Sequence, residues 1–372
     1  MCGIVAYIGT SAAPSLLLEG LKRLEYRGYD SAGLAVLDEA GELRICKTAG
    51  RVMVLEERVA SEGGMAGVIG IAHTRWATHG EPNDVNAHPH TDSPTDGHGI
   101  ALVHNGIIEN YRALKTYLEE RGHVFNSETD TEVLTHLIGE LYEGDLEAAV
   151  QTALKEVTGA YAIAVVCRGE PGVLVAARKG APLMVGVGQD EYIVASDSSA
   201  IVAHTKQAVE LEDGTIVRLT NDSFRTTTVD NVPVTTQLME LEVDLEQIEL
   251  GDFDHYMLKE IHEQPEAIRR SFRGRIDQAS GRIVLGGVAD HSQELMKAKR
   301  IVLLGQGTAL HSAMVGEYIF EDLAGIPAET DFASEFRYRN PIVEDGTVVI
   351  AITQSGETLD TLEAMREARQ RG

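Results

Sequence analysis

Residue 2 is a cysteine, and a strand-like apolar run, Gly3-Ile4-Val5-Ala6-Tyr7-Ile8-Gly9, follows it at once. Loss of Met1 would leave a thiol and a free α-amino group on one residue. The amine titrates near pH ~8 and the thiol near ~8.5, so such a residue can be nucleophile and base together. Taken alone, Cys2 reads more simply as a small apolar residue near a frayed end of the chain. The stretch from Tyr26 to Asp130 changes that reading. An amide-cleaving thiol needs donors for a developing oxyanion, and the Asn105 side chain with the Gly106 amide would supply them. A free amino-acid substrate needs a guanidinium for its carboxylate and a carboxylate for its ammonium. Arg75 and Asp130 are of those types, and arginine grips a carboxylate with two parallel bonds. Trp76 is the only tryptophan; a large ring beside such a site would exclude water or gate a passage.

Each of these residues also has a plainer reading. Arg75 and Asp130 would make an ordinary surface ion pair, worth ~0–1 kcal/mol. Asn105-Gly106 is the favoured pair for a type I′ hairpin turn. His73, His79, His88, His90, His98 and His104 invite a metal assignment, yet their spacing matches no common zinc pattern and no cysteine is near. No metal or organic cofactor is therefore expected.

The elements that must position these residues follow from periodicity. Leu16, Leu17, Leu21 and Leu24 recur at helical spacing between Ala12 and Glu25, with Pro14 suited to a first turn and Gly28 beyond the end. Strand-like runs fall at Leu34–Leu37, Leu43–Cys46, Val68–His73 and Ile100–Val103, with a helix near Met53–Val59. His104-Asn105-Gly106 then reads as a loop at a strand end. Helices are predicted at Glu109–Arg121, Thr131–Tyr142 and Asp145–Glu156, the second opened by the capping sequence Thr129-Asp130-Thr131-Glu132. Short strands at Tyr161–Val166, Val173–Ala176, Leu183–Val185, Tyr192–Ala195 and Ile216–Leu219 are broken by Gly, Pro and Asp, which indicates antiparallel pairing. Helices around such strands predict layers of helix on sheet.

Thr220–Asn231 is polar and aperiodic and closes this first unit, residues 2–231. Residues 232–254 are acid-rich and read as a linker. From 255 the pattern changes to a helix at Lys259–Phe272, then strand, Gly/Ser loop and helix, twice. Ile301–Leu304 leads into Gly305-Gln306-Gly307-Thr308, and Val348–Ile352 into Thr353-Gln354-Ser355-Gly356-Glu357-Thr358. That repetition marks a parallel doubly wound sheet. With one more strand expected near Pro327–Thr330 the sheet is still short of strands, so the domain over 255–372 is expected to be truncated.

A chain of 372 residues suits two domains at ~150 residues each, and 43% hydrophobic content gives both a core. No stretch approaches 18 consecutive apolar residues, and no basic-then-apolar secretory leader is present, so no membrane partner is expected. Three dispersed cysteines point to a reducing, cytoplasmic setting. With 58 acidic against 32 basic residues the net charge is −26, which argues against nucleic-acid binding.

Together, Met1–Gly9, Leu24–Gly33, Thr74–Gly80, His88-Pro89-His90, His104–Glu109 and Ser127–Glu132 resemble the class II glutamine amidotransferase domain. The wording of these motifs is most similar to the glutamine–fructose-6-phosphate aminotransferase family, and the resemblance runs through all 372 residues. It implies an α+β N-terminal-nucleophile fold, an α–β–β–α sandwich, followed by an incomplete α/β doubly wound parallel sheet of sugar isomerase type. It implies Cys2 as nucleophile after loss of Met1, and Asn105 with Gly106 as oxyanion hole. Arg75, Thr78, His79 and Asp130 would hold glutamine, Trp76 would gate ammonia, and Arg27 would order the site. Thr308, Thr353, Gln354, Ser355 and Thr358 would cradle a sugar phosphate, a role that hydroxyls and amides at helix N-termini suit. Gln306 and Ala309 depart from the family wording and remove one phosphate-facing hydroxyl. Substrates would be glutamine and fructose 6-phosphate, and the complete protein a homodimer. The alternatives are another class II amidotransferase, whose phosphoribosyl loop is not visible here, or a sugar-phosphate sensor with a silent first domain.

Overall fold

The structure is a computed structural model and describes residues 2–38, 40–76, 80–92, 98–241, 253–277, 281–283, 285–354, 356 and 358–372. Contacts divide the chain into two units, Met1–Gly251 and Asp252–Gly372. Among the described residues no helix is long and apolar enough to cross a membrane.

The first unit is built on two antiparallel sheets. Its strands begin with β1 (Gly3–Ile8), β2 (Ser31–Leu37), β3 (Leu43–Ala49), β4 (Ile69–Arg75), β5 (His90–Thr91), β6 (Ile100–Ile108) and β7 (Gly159–Cys167). They continue with β8 (Leu174–Lys179), β9 (Met184–Val187), β10 (Tyr192–Ala195), β11 (Gln207–Glu210), β12 (Thr215–Leu219), β13 (Phe224–Thr228) and β14 (Met239–Glu240). One sheet runs β14-β11-β9-β10-β1-β4-β2-β3, and the other β13-β12-β8-β7-β6-β5. Helices α1 (Ala13–Leu24) and α2 (Val52–Ser61) cover the outer face of the first sheet. Helices α3 (Tyr111–Glu119), α4 (Asp130–Glu140) and α5 (Leu146–Glu156) cover that of the second.

Strand alternation explains the layering. Val5 and Tyr7 of β1 pack outward with Leu17 and Leu21 of α1, while Ile4, Ala6 and Ile8 point between the sheets. In β6, Ala101 and Val103 face the same interlayer core, and Ile100 and Leu102 face the helices. A sheet covered on both faces needs apolar residues at every position, so β1 and β2 are buried throughout.

Three expectations are corrected. His104, Asn105 and Gly106 lie inside β6, which runs on to Ile108 and pairs Asn105 with Ala162 of β7, so the pair is neither a loop nor a hairpin turn. The closing segment contains a true strand, β13, paired along its length with β12. Within the expected linker, Met239–Glu240 pairs with β11 and Leu241 is buried in the α1 side of the core. Both late strands sit at sheet edges, where one pairing partner and little apolar periodicity suffice.

In the second unit a three-stranded parallel sheet has Arg300–Gly305 in the middle, flanked by Ala328–Phe332 and Thr347–Ala351. The chain moves from the middle strand to one side and then crosses to the other, which places a topological switch point between Arg300–Gly305 and Thr347–Ala351. The helices Thr308–Ile319 and Leu359–Arg371 begin at the loops that leave those two strands.

Candidate active site

Cys2 precedes β1 in phase with Ile4 and Ala6, so its side chain belongs to the interlayer face at the open end of the core. The same parity brings His73 and Arg75 of β4 and Asn105 of β6 to that end, one from each side of the sandwich. Cys2 Sγ accepts from the Trp76 amide at 3.2 Å and lies 3.6 Å from the Trp76 carbonyl. Asn105 Nδ2 donates to the Cys2 carbonyl at 3.2 Å, and Asn105 Oδ1 lies 2.9 Å from His73 Nε2. Burial pushes the Cys2 thiol up, while the Trp76 amide and the Arg75 charge pull it down.

Two glycines permit this convergence. A Cβ on Gly28 would stand 2.8 Å from the Arg75 carbonyl carbon, so the Tyr26–Gly33 loop lies directly on the Arg75–Trp76 backbone. Asp30 reinforces this by donating its amide to the Arg75 carbonyl at 3.1 Å. Gly106 has φ +130°, and a Cβ there would stand 2.1 Å from the Ala160 carbonyl oxygen. No other residue fits.

Arg75 and Asp130 are both buried, so the surface ion pair is excluded. Burial lowers the Arg75 pKa, whereas Cys2, Asp30 and Asp130 all favour its charged form. Asp130 opens α4 just after the capping Thr129, and its Oδ2 accepts from the Ile108 amide at 2.8 Å. That bond ties the helix N-terminus to the end of β6, close behind Asn105.

Arg27 is buried against Asp197, to which it donates, and its Nε donates to the Tyr26 hydroxyl at 3.1 Å. Burial would raise the Asp197 pKa, but Arg27 and the Ser199 bonds hold it low. Asp197 follows Ser196, whose hydroxyl accepts from the Ile4 amide at 3.0 Å. Arg27 thus braces β1, the strand that follows Cys2. Trp76 is half exposed and meets Tyr29 edge to face, with ring centroids 5.8 Å apart. Thr78 and His79 lie outside the described residues.

The histidines pack ring against ring: His73 and His88 are stacked with centroids 4.2 Å apart, and His88 and His90 meet edge to face at 4.9 Å. His104 bonds Thr131 of α4. Burial lowers the pKa of all four, that of His73 to about 3, so they stay neutral near pH 7. Among the described residues no group of three His, Cys, Asp or Glu is placed to hold a metal ion. His73, Asp30, Ser196 and Asp197 were not among the residues expected to serve the site. For His73 the signal was present, since it shares strand parity with Arg75; for Asp197 none was, because its partner is 170 positions away.

In the second unit, Thr308 is the first residue of its helix and Thr358 caps the other. Both loops leave the carboxyl end of the sheet, and Leu304 pairs with Ala351 in register. Thr353 Oγ1 accepts from the Gly356 amide at 3.1 Å, and Gln354 is exposed. Ser355 lies outside the described residues. The arrangement offers hydroxyls and helix N-termini at a switch point, which suits an anion.

The glutamine amidotransferase domain family matches residues 76–203, and the SIS domain family residues 294–372. A relative from Chlorobaculum tepidum, a glutamine–fructose-6-phosphate aminotransferase [isomerizing], is 52% identical over all of this chain and 61% of its own length. Relatives of the same name from Symbiobacterium thermophilum and Bacteroides thetaiotaomicron are 49% and 48% identical, with 60% and 61% of their length covered. The chain thus spans about three fifths of the curated relatives it matches. Among solved structures, a glutamine phosphoribosylpyrophosphate amidotransferase from B. subtilis is similar over 88% of this chain and 65% of its own, with a TM-score of 0.55 and 24% identity. At that identity the likeness speaks to fold alone, and it agrees with the α–β–β–α sandwich described above.

Proposed function

We propose, from the 48–52% identity of the whole chain to glutamine–fructose-6-phosphate aminotransferases and the match of residues 76–203 to the glutamine amidotransferase domain, that its first unit is a glutaminase driven by Cys2. The observation that carries this reading is that Asn105 Nδ2 donates to the Cys2 carbonyl while the Trp76 amide donates to the Cys2 thiol, which brings carboxamide and thiol to the same end of the interlayer core. After Met1 is lost, the Cys2 amine takes the thiol proton and the sulfur attacks the glutamine carboxamide carbon. Asn105 Nδ2 and the Gly106 amide receive the developing oxyanion. The carbon–nitrogen bond breaks, the amine returns its proton to the leaving nitrogen, and ammonia departs. Water then cleaves the γ-glutamyl thioester, restoring the thiol and releasing glutamate. Arg75 grips the substrate carboxylate, Asp130 its ammonium, with Thr78 and His79 completing the pocket and Trp76 covering it.

In the whole protein the ammonia would replace the keto oxygen of fructose 6-phosphate, giving glucosamine 6-phosphate after isomerisation. Thr308, Thr353, Gln354, Ser355 and Thr358 would hold the phosphate. The reading carries with it a cytoplasmic location, in keeping with three free cysteines, and a homodimer.

Glutamine turnover with intact mass tests the first half. The expected result is a chain lacking Met1 that hydrolyses glutamine, and a Cys2→Ala variant at least roughly a thousandfold slower. Turnover that survives Cys2→Ala overturns the assignment. Absent turnover in the processed wild-type chain would leave the silent sugar-phosphate sensor.

A further inference from the structure

The Asn105 carboxamide has an oxygen end and a nitrogen end, and only the nitrogen end can stabilise an oxyanion. The two ends are nearly equal in size, so packing alone does not choose between them. Two contacts do. The Cys2 carbonyl accepts from Nδ2 at 3.2 Å, and Oδ1 is met by His73 Nε2 at 2.9 Å. With the Cys2 carbonyl alone, Oδ1 would be buried against the histidine stack without a donor, which favours rotation of the amide.

We infer that His73 is a positioning residue: its Nε2–H donates to Asn105 Oδ1 and so turns the Asn105 NH2 toward the substrate amide at Cys2. The ring is well held for this work. It is fully buried in β4, stacked on His88 at 4.2 Å with 29° between planes, and shares its strand with Arg75. Burial also keeps it neutral, which leaves a single N–H whose placement matters. The inference rests on the glutaminase reading and assigns a residue that this reading does not use.

The test compares two reactions of the same sulfur in the full chain. Glutamine hydrolysis passes through an oxyanion. Alkylation by iodoacetamide does not: the sulfur displaces iodide at a methylene carbon, with no charge developing on a carbonyl oxygen. His73→Leu should lower kcat for glutamine roughly tenfold or more with KM little changed. The alkylation rate, followed by intact mass, should stay within about twofold. In an Asn105→Ala background His73→Leu should add nothing further, and His73→Gln, which keeps an N–H donor, should recover most of the turnover. If His73→Leu does not fold, His73→Asn, too short to reach Oδ1, takes its place. Unchanged turnover, equal losses in turnover and alkylation, or full additivity with Asn105→Ala would each overturn the positioning role. Failure of the glutaminase reading looks different, since Cys2→Ala would then leave turnover intact.

Discussion

The first unit holds its candidate site residues mainly on packed strands and a buried helix start, and the second holds them on loops and the helix starts that follow them. His73, Arg75, Asn105 and Asp130 are all buried; His73 bonds Asn105, Asn105 donates to the Cys2 carbonyl, and Asp130 accepts from the Ile108 amide. Gln354 is exposed, Thr353 accepts from the Gly356 amide of its own loop, and Thr358 caps its helix without a side-chain cap bond. The flanking strands of the second sheet are half buried along their length, whereas β1, β2 and β4 are fully buried. A site carried by packed strands is preorganised before the substrate arrives, because its side chains have already lost their freedom to the core. A site carried by loops at the carboxyl end of a sheet must still order them on binding, which costs affinity.

A glycine exchange in each unit probes this contrast most sharply. Gly106→Ala forces a Cβ into the Ala160 carbonyl at a left-handed φ, and should cost more than ~3 kcal/mol, read as lost soluble folded protein or a large drop in Tm. Gly307→Ala, also at positive φ but with open space around the new Cβ, should cost only about 1 kcal/mol. Equal costs would break the comparison.

Next in size, Asp130→Asn keeps the bond from the Ile108 amide but removes the charge. We expect KM for glutamine to rise roughly tenfold to a hundredfold, as a charged hydrogen bond is worth about 1.5–3 kcal/mol. An unchanged KM would remove Asp130 from the pocket.

Acid should separate the units further. His73, His88, His90 and His104 are held neutral in the fold, so their folded pKa values lie below the ordinary 6.5. Above pH 6.5 both states are neutral and the stability is fully present. As pH falls the unfolded chain takes protons first, so stability is lost from 6.5 downward, for His73 until about 3. Each histidine contributes a slope of up to ~1.4 kcal/mol per pH unit in its window. Thermal unfolding of the first unit between pH 7 and 5 should show the decline; a flat profile would mean the stack is open to water. The smallest effect belongs to the second unit. Fructose 6-phosphate should bind this chain with Kd no tighter than about 1 mM, or about −4 kcal/mol, by calorimetry. Micromolar binding would show that two loops suffice.

Much of this was legible in the residues themselves. The hydrophobic period located α1, α4 and α5 within a residue or two, and the cap at Thr129 opens α4 as its sequence indicates, its side chain accepting from the Glu132 amide. The repeated strand, polar loop and helix marked the parallel sheet of the second unit. These are local properties, set by spacing and by groups within four residues of one another. The run after Val103 has a turn's local chemistry in Asn105-Gly106; only the pairing of β6 with β7 makes it strand. Arg27 with Asp197, and His73 with Asn105, join residues 170 and 32 positions apart. Sequence fixed the kinds of chemistry available, a thiol, a carboxamide, a guanidinium and a carboxylate. The tertiary structure decided which of them meet, because strand parity and sheet order, unlike propensity, exist only once distant segments have paired.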